Sequence, residues 1–360
     1  MKELYEGNIH GLSPRDVIDA AMRWHFHPET GSPYWLEKLS QLDFDPLTDI
    51  HDFSDLQRFP DITNDWKTLD VTQLIPKGCL AHLSDFHVFE SGGTTGNPKR
   101  IVEHTSRKHA LGYVEQQFSA LGYQSETNEH WLHLGPTGPH IVGRTIKELA
   151  RRDGKLCFQV DFDPRWVKKL ILQGKQEEVS RYKHHLLQQA YELIRTQEIS
   201  ILFITPPLLE AICQDPQMLA CYQEKIKSII WAGTSISSET YHLITTHYFP
   251  NVIFMGLYGN TMMGIAPQRP PFSEDDEACV YQPLYPFCRV HFVDPQTQKE
   301  TAYGEYGQLC VSLITPELFI PNNLERDYAK RVRSPGFPHD GIANVGPLPG
   351  KKEAVTEGVY

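Results

Sequence analysis

Residues Ser91 to Arg100 read SGGTTGNPKR. Glycines let successive backbone N–H groups turn toward one point and let an anion approach the main chain closely. Serine and threonine hydroxyls add donors that pivot, and Lys99 adds a point charge. The chemistry this combination serves is the cradling of a phosphate chain. The stretch is not a Walker loop, because no G-x-x-x-x-G-K-[ST] surrounds it, and G-x-G-x-x-G is also missing. A glycine-rich hairpin made only for solubility would not need both threonines, the proline and the lysine in this order.

The elements that must position such a loop are legible around it. Residues 86–90 (FHVFE) and 100–104 (RIVEH) read as short strands on either side of the loop. A strand after the loop means that a helix dipole is not the main attraction for an anion. From residue 105, Leu111, Val114, Phe118 and Leu121 recur at helical spacing until Gly122. The middle of the chain then alternates. Strands are predicted at 131–134, 156–160, 199–205, 228–233 and 252–259, and helices at 143–152, 176–197, 207–213 and 237–249. Such alternation predicts a parallel sheet covered on both faces. Ser13-Pro14 starts a capped helix, and five prolines between residues 28 and 90 break any long one. Beyond about residue 270, strands at 289–294 and 307–314 predict a smaller β subdomain, and the tail from Ser334 is rich in glycine and proline.

In a parallel α/β sheet, ligands collect where strands end. Three unusual loops follow predicted strands: Ser91–Lys99, Gly233-Thr234-Ser235, and GLYGNTMMG at 256–264. If their strands are neighbours, the loops share one crevice.

Composition bounds the partners. The 360 residues are 40% hydrophobic and 22% charged, which is ordinary globular usage and enough to build a core. A net charge of −11 argues against general nucleic-acid binding, though not against a small basic pocket for a nucleotide. No apolar run nears eighteen residues and no basic-then-apolar leader is seen, so neither membrane spanning nor secretion is expected. Seven cysteines lie scattered without a C-x-x-C pair, the pattern of reduced thiols in a cytoplasmic protein. The histidine pairs His130/His133 and His184/His185 lack partners at zinc-site spacing, so no protein metal ligand is expected.

Here the residues meet a family. SGGTTGNPKR resembles the phosphate loop of the adenylate-forming superfamily, which holds acyl-CoA ligases, peptide-synthetase adenylation domains and luciferases. Tyr258–Thr261, YGNT, resembles that family's Tyr-Gly-x-Thr-Glu motif, and HDGIANVGPLPGKKEAVTEGVY resembles its ribose-binding and hinge segment. The first ninety residues, with HPETGSPYWLEKL and FPDIT, look most like phenylacetate-CoA ligases. The resemblance implies an α/β fold, the large N-terminal domain of the adenylate-forming fold, with layered αβα sheets plus a small β subdomain. It implies an adenylation core over 1–349 (1–270 α/β sheets, 271–349 mainly β) and a hinge-like tail at 350–360, with the small C-terminal domain absent.

The same resemblance implies ATP as co-substrate, with Mg²⁺, and an acid activated as acyl-adenylate. Ser91, Gly93, Thr94, Thr95, Gly96 and Lys99 would hold the β and γ phosphates, and Thr261 the α-phosphate, with Lys99 and Thr261 as the catalytic pair. Gly233, Thr234 and Ser235 would line the adenine side with Tyr258 and Gly259, and Asp340 would take the ribose hydroxyls. His140, Trp231, Ala232 and Gly256 are the candidates for the acid pocket. The phenylacetate-ligase likeness implies a flat aromatic acid, a phenazine dicarboxylate being the specific case, and CoA, a carrier or a reductase as acceptor.

Two departures bear on this. Met262 stands where the family has a glutamate that helps hold Mg²⁺, and a thioether does not replace a carboxylate for a hard cation. The catalytic lysine of the family's C-terminal domain has no counterpart before Tyr360, which implies adenylation slowed roughly a hundredfold or helped by a partner. The competing expectation is a relative that holds nucleotide or aromatic acid as a scaffold without turning it over.

Overall fold

The computed structural model describes residues 1–7, 9, 11–91, 98–104, 107–273 and 276–349. Among them, strands run β1 (His87–Glu90), β2 (Arg100–Glu103), β3 (His130–Gly135), β4 (Cys157–Asp161), β5 (Ile199–Ile204), β6 (Ser228–Ala232), β7 (Ile253–Asn260), β8 (Gly264–Pro267), β9 (Val280–Tyr281), β10 (Cys288–Val293), β11 (Tyr306–Ile314), β12 (Phe319–Val332) and β13 (Gly341–Pro347). The chain divides into two compact units, each sewn from separated pieces. The first comprises Met1–Ala110, Asn260–Gly264 and Pro283–Gly341; the second comprises Leu111–Gly259, Ile265–Gln282 and the chain from Ile342 onward.

In the second unit, one sheet has the order β4-β3-β5-β6-β7-β8, and the pairs from β4 through β7 are parallel. Its central strands are continuous apolar runs because both faces are covered. Ile199–Ile204 (ISILFI) is buried at every position. One face packs Trp131, Ile201, Phe203, Ile230, Met255 and Leu257 against two helices, through Leu111, Val114 and Phe118 of Arg107–Ala120 and Ile146, Leu149 and Ala150 of Ile141–Arg152. The chain leaves β3 toward β4 on one side and returns through β5 on the other, so β3 and β5 flank the switch point of the sheet. In this unit β13 also pairs antiparallel with β9, Ile342 opposite Tyr281.

In the first unit, β1 and β2 form an antiparallel hairpin, Glu90 opposite Arg100. β10, β11 and β12 form an antiparallel meander, with bulges where β12 follows β11. An aromatic cluster of Phe26, Trp35, Phe59 and Phe319 forms the core beneath it, with ring centroids 5.2–5.7 Å apart. Trp35 Nε1 donates to the Phe319 carbonyl at 3.0 Å, so the indole is satisfied where it is buried. The Ser13-Pro14 signal opens the helix Pro14–His25, whose first turn is capped by Ser13 Oγ accepting from Asp16 N.

Candidate active site

The glycine-rich stretch joins β1 to β2, and the residues on either side of it are tied together. Ser91 N donates to the Lys99 carbonyl at 2.9 Å, and Lys99 N donates to Ser91 Oγ at 2.8 Å. One pair lower, Arg100 Nε donates to Glu90 Oε1 at 2.8 Å. Ser91 therefore closes the loop, whatever else its hydroxyl does. Gly93, Thr94, Thr95 and Gly96 lie outside the described residues.

Lys99 is half-buried, and its burial pulls the ammonium pKa down, with the charge of Glu325 opposing. Glu325 sits on β12 at 8% exposure. Burial pushes its carboxyl up to about 7, and Lys99 pulls it back. Asn323 Nδ2 donates to Glu325 Oε1 and is itself tied by Thr63 Oγ1, which donates to Asn323 Oδ1 at 3.2 Å. A buried polar line thus runs from Thr63 through Asn323 to Glu325, in the field of Lys99. Sequence reading named none of these three. No sequence signal marked them: five of the six residues of NNLERD are polar, and only their burial along the strand picks out Asn323 and Glu325.

Also in the first unit, the carboxylate of Asp340 is held at both oxygens. Tyr303 OH donates to Oδ1 at 2.5 Å and Arg331 Nε to Oδ2 at 2.7 Å. Tyr303 lies between two guanidiniums, Arg331 at 4.2 Å and Arg333 at 4.0 Å from its ring centre. These two donors fix the orientation of the carboxylate. Thr261 is half-buried in the turn after β7. Asn260 Oδ1 accepts from the backbone N–H of both Met262 and Met263 at 2.9 Å, an Asx turn that sets this corner. Met262 is buried at 2% exposure, so the position expected to help hold Mg²⁺ carries an enclosed thioether and no carboxylate. The residues here do not fit a protein-bound Mg²⁺.

In the second unit, β6 and β7 are parallel neighbours, with Trp231 opposite Gly256 and Ala232 opposite Leu257. Their carboxyl ends emerge side by side, which brings Gly233-Thr234-Ser235 and Tyr258-Gly259 to one end of the sheet. Gly233 has φ +96°, a left-handed turn that glycine takes without strain. Thr234 Oγ1 is buried with no hydrogen-bond partner among the described residues. Such an atom fits a ligand that supplies a donor or acceptor, as a nucleotide does. Tyr258 is half-buried with its ring 5.6 Å from that of Tyr281.

The residues expected to line the acid pocket divide. Trp231 is buried at 3%, stacked on Phe254 at 5.8 Å, and its Nε1 has no partner among the described residues. A Cβ on Gly256 would lie 2.9 Å from Cys279 Sγ and from Trp231 Cζ2, so this glycine admits close packing of the tryptophan. Ala232 is half-buried at the end of β6. His140 stands apart from these, at the N-cap of Ile141–Arg152 after β3, beside the switch point. That turn is anchored by Thr137, whose N and Oγ1 both donate to Asp161 Oδ1 at 2.8 and 2.6 Å. The nearby His133 is fully buried, stacked on Phe203 at 4.7 Å, and burial pushes its pKa down to about 4.

No protein-family model and no curated protein sequence matches the chain. Solved structures do. An open conformation of 2-hydroxyisobutyryl-CoA ligase in complex with 2-HIB-AMP and CoA matches at 11% identity and TM-score 0.61, over 89% of this chain and 69% of that one. ATP-bound MatB from Rhodopseudomonas palustris matches at 16% identity and TM-score 0.48, over 72% of this chain. O-succinylbenzoate coenzyme A synthetase from Bacillus subtilis, in complex with ATP and magnesium ion, matches at 16% identity and TM-score 0.43, over 71% of this chain and 48% of that one. The chain spans about half the length of MatB, 47% of it. The likeness to the hydroxyisobutyryl ligase establishes the fold: a mixed α/β body like the large N-terminal domain of adenylate-forming enzymes.

Proposed function

We infer that this chain activates a carboxylic acid with ATP as an acyl-adenylate. A carboxylate oxygen attacks the α-phosphorus, the bond to the bridging oxygen breaks, and pyrophosphate leaves. The reaction asks for positioning and charge stabilisation more than for covalent help. The observation that carries the reading is the closed base of the β1–β2 hairpin. It fixes the two ends of a sequence built to bind phosphates and holds Lys99 half-buried at its exit.

In this reading Ser91, Gly93, Thr94, Thr95, Gly96 and Lys99 hold the β and γ phosphates, and Lys99 offsets the charge that gathers on the leaving pyrophosphate. Thr261 donates to the α-phosphate. Thr234 turns its unpaired hydroxyl, with Gly233 and Ser235, toward the adenine beside Tyr258 and Gly259. Asp340 accepts from the ribose hydroxyls, aimed by Tyr303 and Arg331. The acid is flat and aromatic, a phenazine dicarboxylate being the specific case, and is lined by His140, Trp231, Ala232 and Gly256. CoA, a carrier thiol or a reductase takes the acyl group. The setting is the cytoplasm, to which seven free cysteines are suited; no helix among the described residues is long and apolar enough to cross a membrane. Mg²⁺ rides on the ATP phosphates and water, because Met262 offers it nothing.

The buried Met262 favours one alternative, a protein that binds nucleotide or acid without turnover. Acid-dependent exchange of pyrophosphate into ATP separates the two. Exchange with an aromatic acid supports activation. Nucleotide binding without exchange across a panel of aromatic acids leaves only the alternative.

A further inference from the structure

We propose that His82, Asp85 and His104 form a divalent transition-metal site of the zinc type, distinct from any Mg²⁺ carried by ATP. One ligand atom from each of the three lies within 4.8 Å of the others, and all three residues belong to the first unit. His82 Nδ1 and Asp85 Oδ2 are 3.8 Å apart, and the rings of His82 and His104 are 5.7 Å apart between centroids. Two imidazoles on one tetrahedral ion, with metal–nitrogen bonds of about 2.0–2.1 Å, have centroids roughly 5–6 Å apart. The rings therefore stand at the right separation already. The donors, within 4.8 Å of one another, would have to close to the roughly 3.3–3.5 Å that separates ligands on one tetrahedral ion.

The local chain explains the arrangement. Lys77–Asp85 is a run of 3₁₀ turns broken at His82 (φ −117°, ψ 24°), and that break turns His82 toward Asp85 three residues on. His104 directly follows β2, so the third donor comes from a different element. Neighbours hold the donors in place. Phe86 packs its ring 5.3 Å from that of His104, and Ser84 Oγ donates to Asp85 Oδ1 at 3.3 Å, the oxygen opposite the one facing His82. Two imidazoles and one carboxylate select zinc or its neighbours over Mg²⁺ or Ca²⁺, which take oxygen ligands. Three protein ligands leave a fourth position for water. Without a metal, the exposed His82–Asp85 pair is worth little to stability. With one, the site would clip the 3₁₀ run to the strand that leaves the glycine-rich loop.

The test is calorimetric titration of Zn²⁺ alone into the chelator-treated full chain, without nucleotide, and absorption spectroscopy of the Co²⁺ form. One ion per chain is expected, with affinity reduced at least tenfold in both His82→Ala and Asp85→Asn, exposed positions where folding is not at stake. A Co²⁺ spectrum without a thiolate charge-transfer band is the expected signature. Unchanged affinity in both variants, no binding in the parent, or a thiolate band that places the ion on cysteines would each overturn the site.

Discussion

At the scale of single residues, the site is governed by how charge is kept out of water. Lys99 and Glu325 are each shifted toward neutrality by burial, and each opposes the other's shift. A triphosphate arriving at Lys99 would supply the anion that favours the ammonium form. Lys99→Met is accordingly expected to weaken ATP binding and to lower the exchange rate by roughly a hundredfold, measured by titration and pyrophosphate exchange. Glu325 makes a separate prediction. Its folded pKa of about 7 lies above the 4.5 of an ordinary glutamate, so the native state binds the proton more tightly than the unfolded chain does. The stability this gives is complete below pH 4.5 and is lost as pH rises through 7. Glu325→Gln should therefore gain on the parent as pH rises, by at most roughly 3 kcal/mol at pH 8 relative to pH 4. Denaturant midpoints of both proteins across that range check it, and a pH-independent difference would refute it.

At the scale of elements, what the sequence made legible follows from where its pattern is physically simple. ISILFI could only be a strand buried on both faces, and it is β5. Strands β3, β6 and β7 are buried along much of their length and were legible for the same reason, while β4 at the sheet's edge and β10 and β11 were read as short apolar runs. The helices Pro164–Leu172 and Pro216–Lys225 went unread; the second begins two residues after Gln214 and reads as a continuation of its neighbour. β12 went unread because its fourteen residues include Glu325, Arg326, Asp327, Lys330 and Arg331, a charged string whose alternation shows only once β11 lies beside it. The glycine and proline of the tail likewise masked β13. Of the candidate site, the motif residues could be named from the sequence, while the contacts that hold them could not. Nothing local ties Tyr303 to Asp340, thirty-seven residues away. Gly256 carries the prediction at this scale. Gly256→Ala must push apart Trp231 and Cys279 at the middle of β7. It should cost about 1–3 kcal/mol in thermal or denaturant unfolding, and a stability equal to the parent would mean that the tryptophan has room to move.

At the scale of the whole molecule, buried neutral histidines set the response to acid. His25, His133 and His291 are each pushed by burial down to about 4. His25 and His133 also bond to backbone carbonyls, which favours the charged form, but burial outweighs this. Because their folded pKa lies below the usual 6.5, the stability they contribute is complete above pH 6.5 and is lost as pH falls toward 4. Midpoints of urea unfolding should fall steeply between those limits. Replacing His133 by Gln should flatten part of that fall; an unchanged slope would show that other groups carry it.

The first unit also has a cost in time. Its aromatic cluster joins Phe26, Trp35 and Phe59 to Phe319. On a ribosome adding about 5–20 residues per second, those early rings wait tens of seconds for their late partner. Meanwhile the intervening segment Leu111–Gly259 holds nearly all the strands of its own sheet and can settle first. A nascent chain of this kind leaves greasy side chains uncovered during its synthesis. Its yield in cells should depend on chaperones that shelter the amino-terminal third.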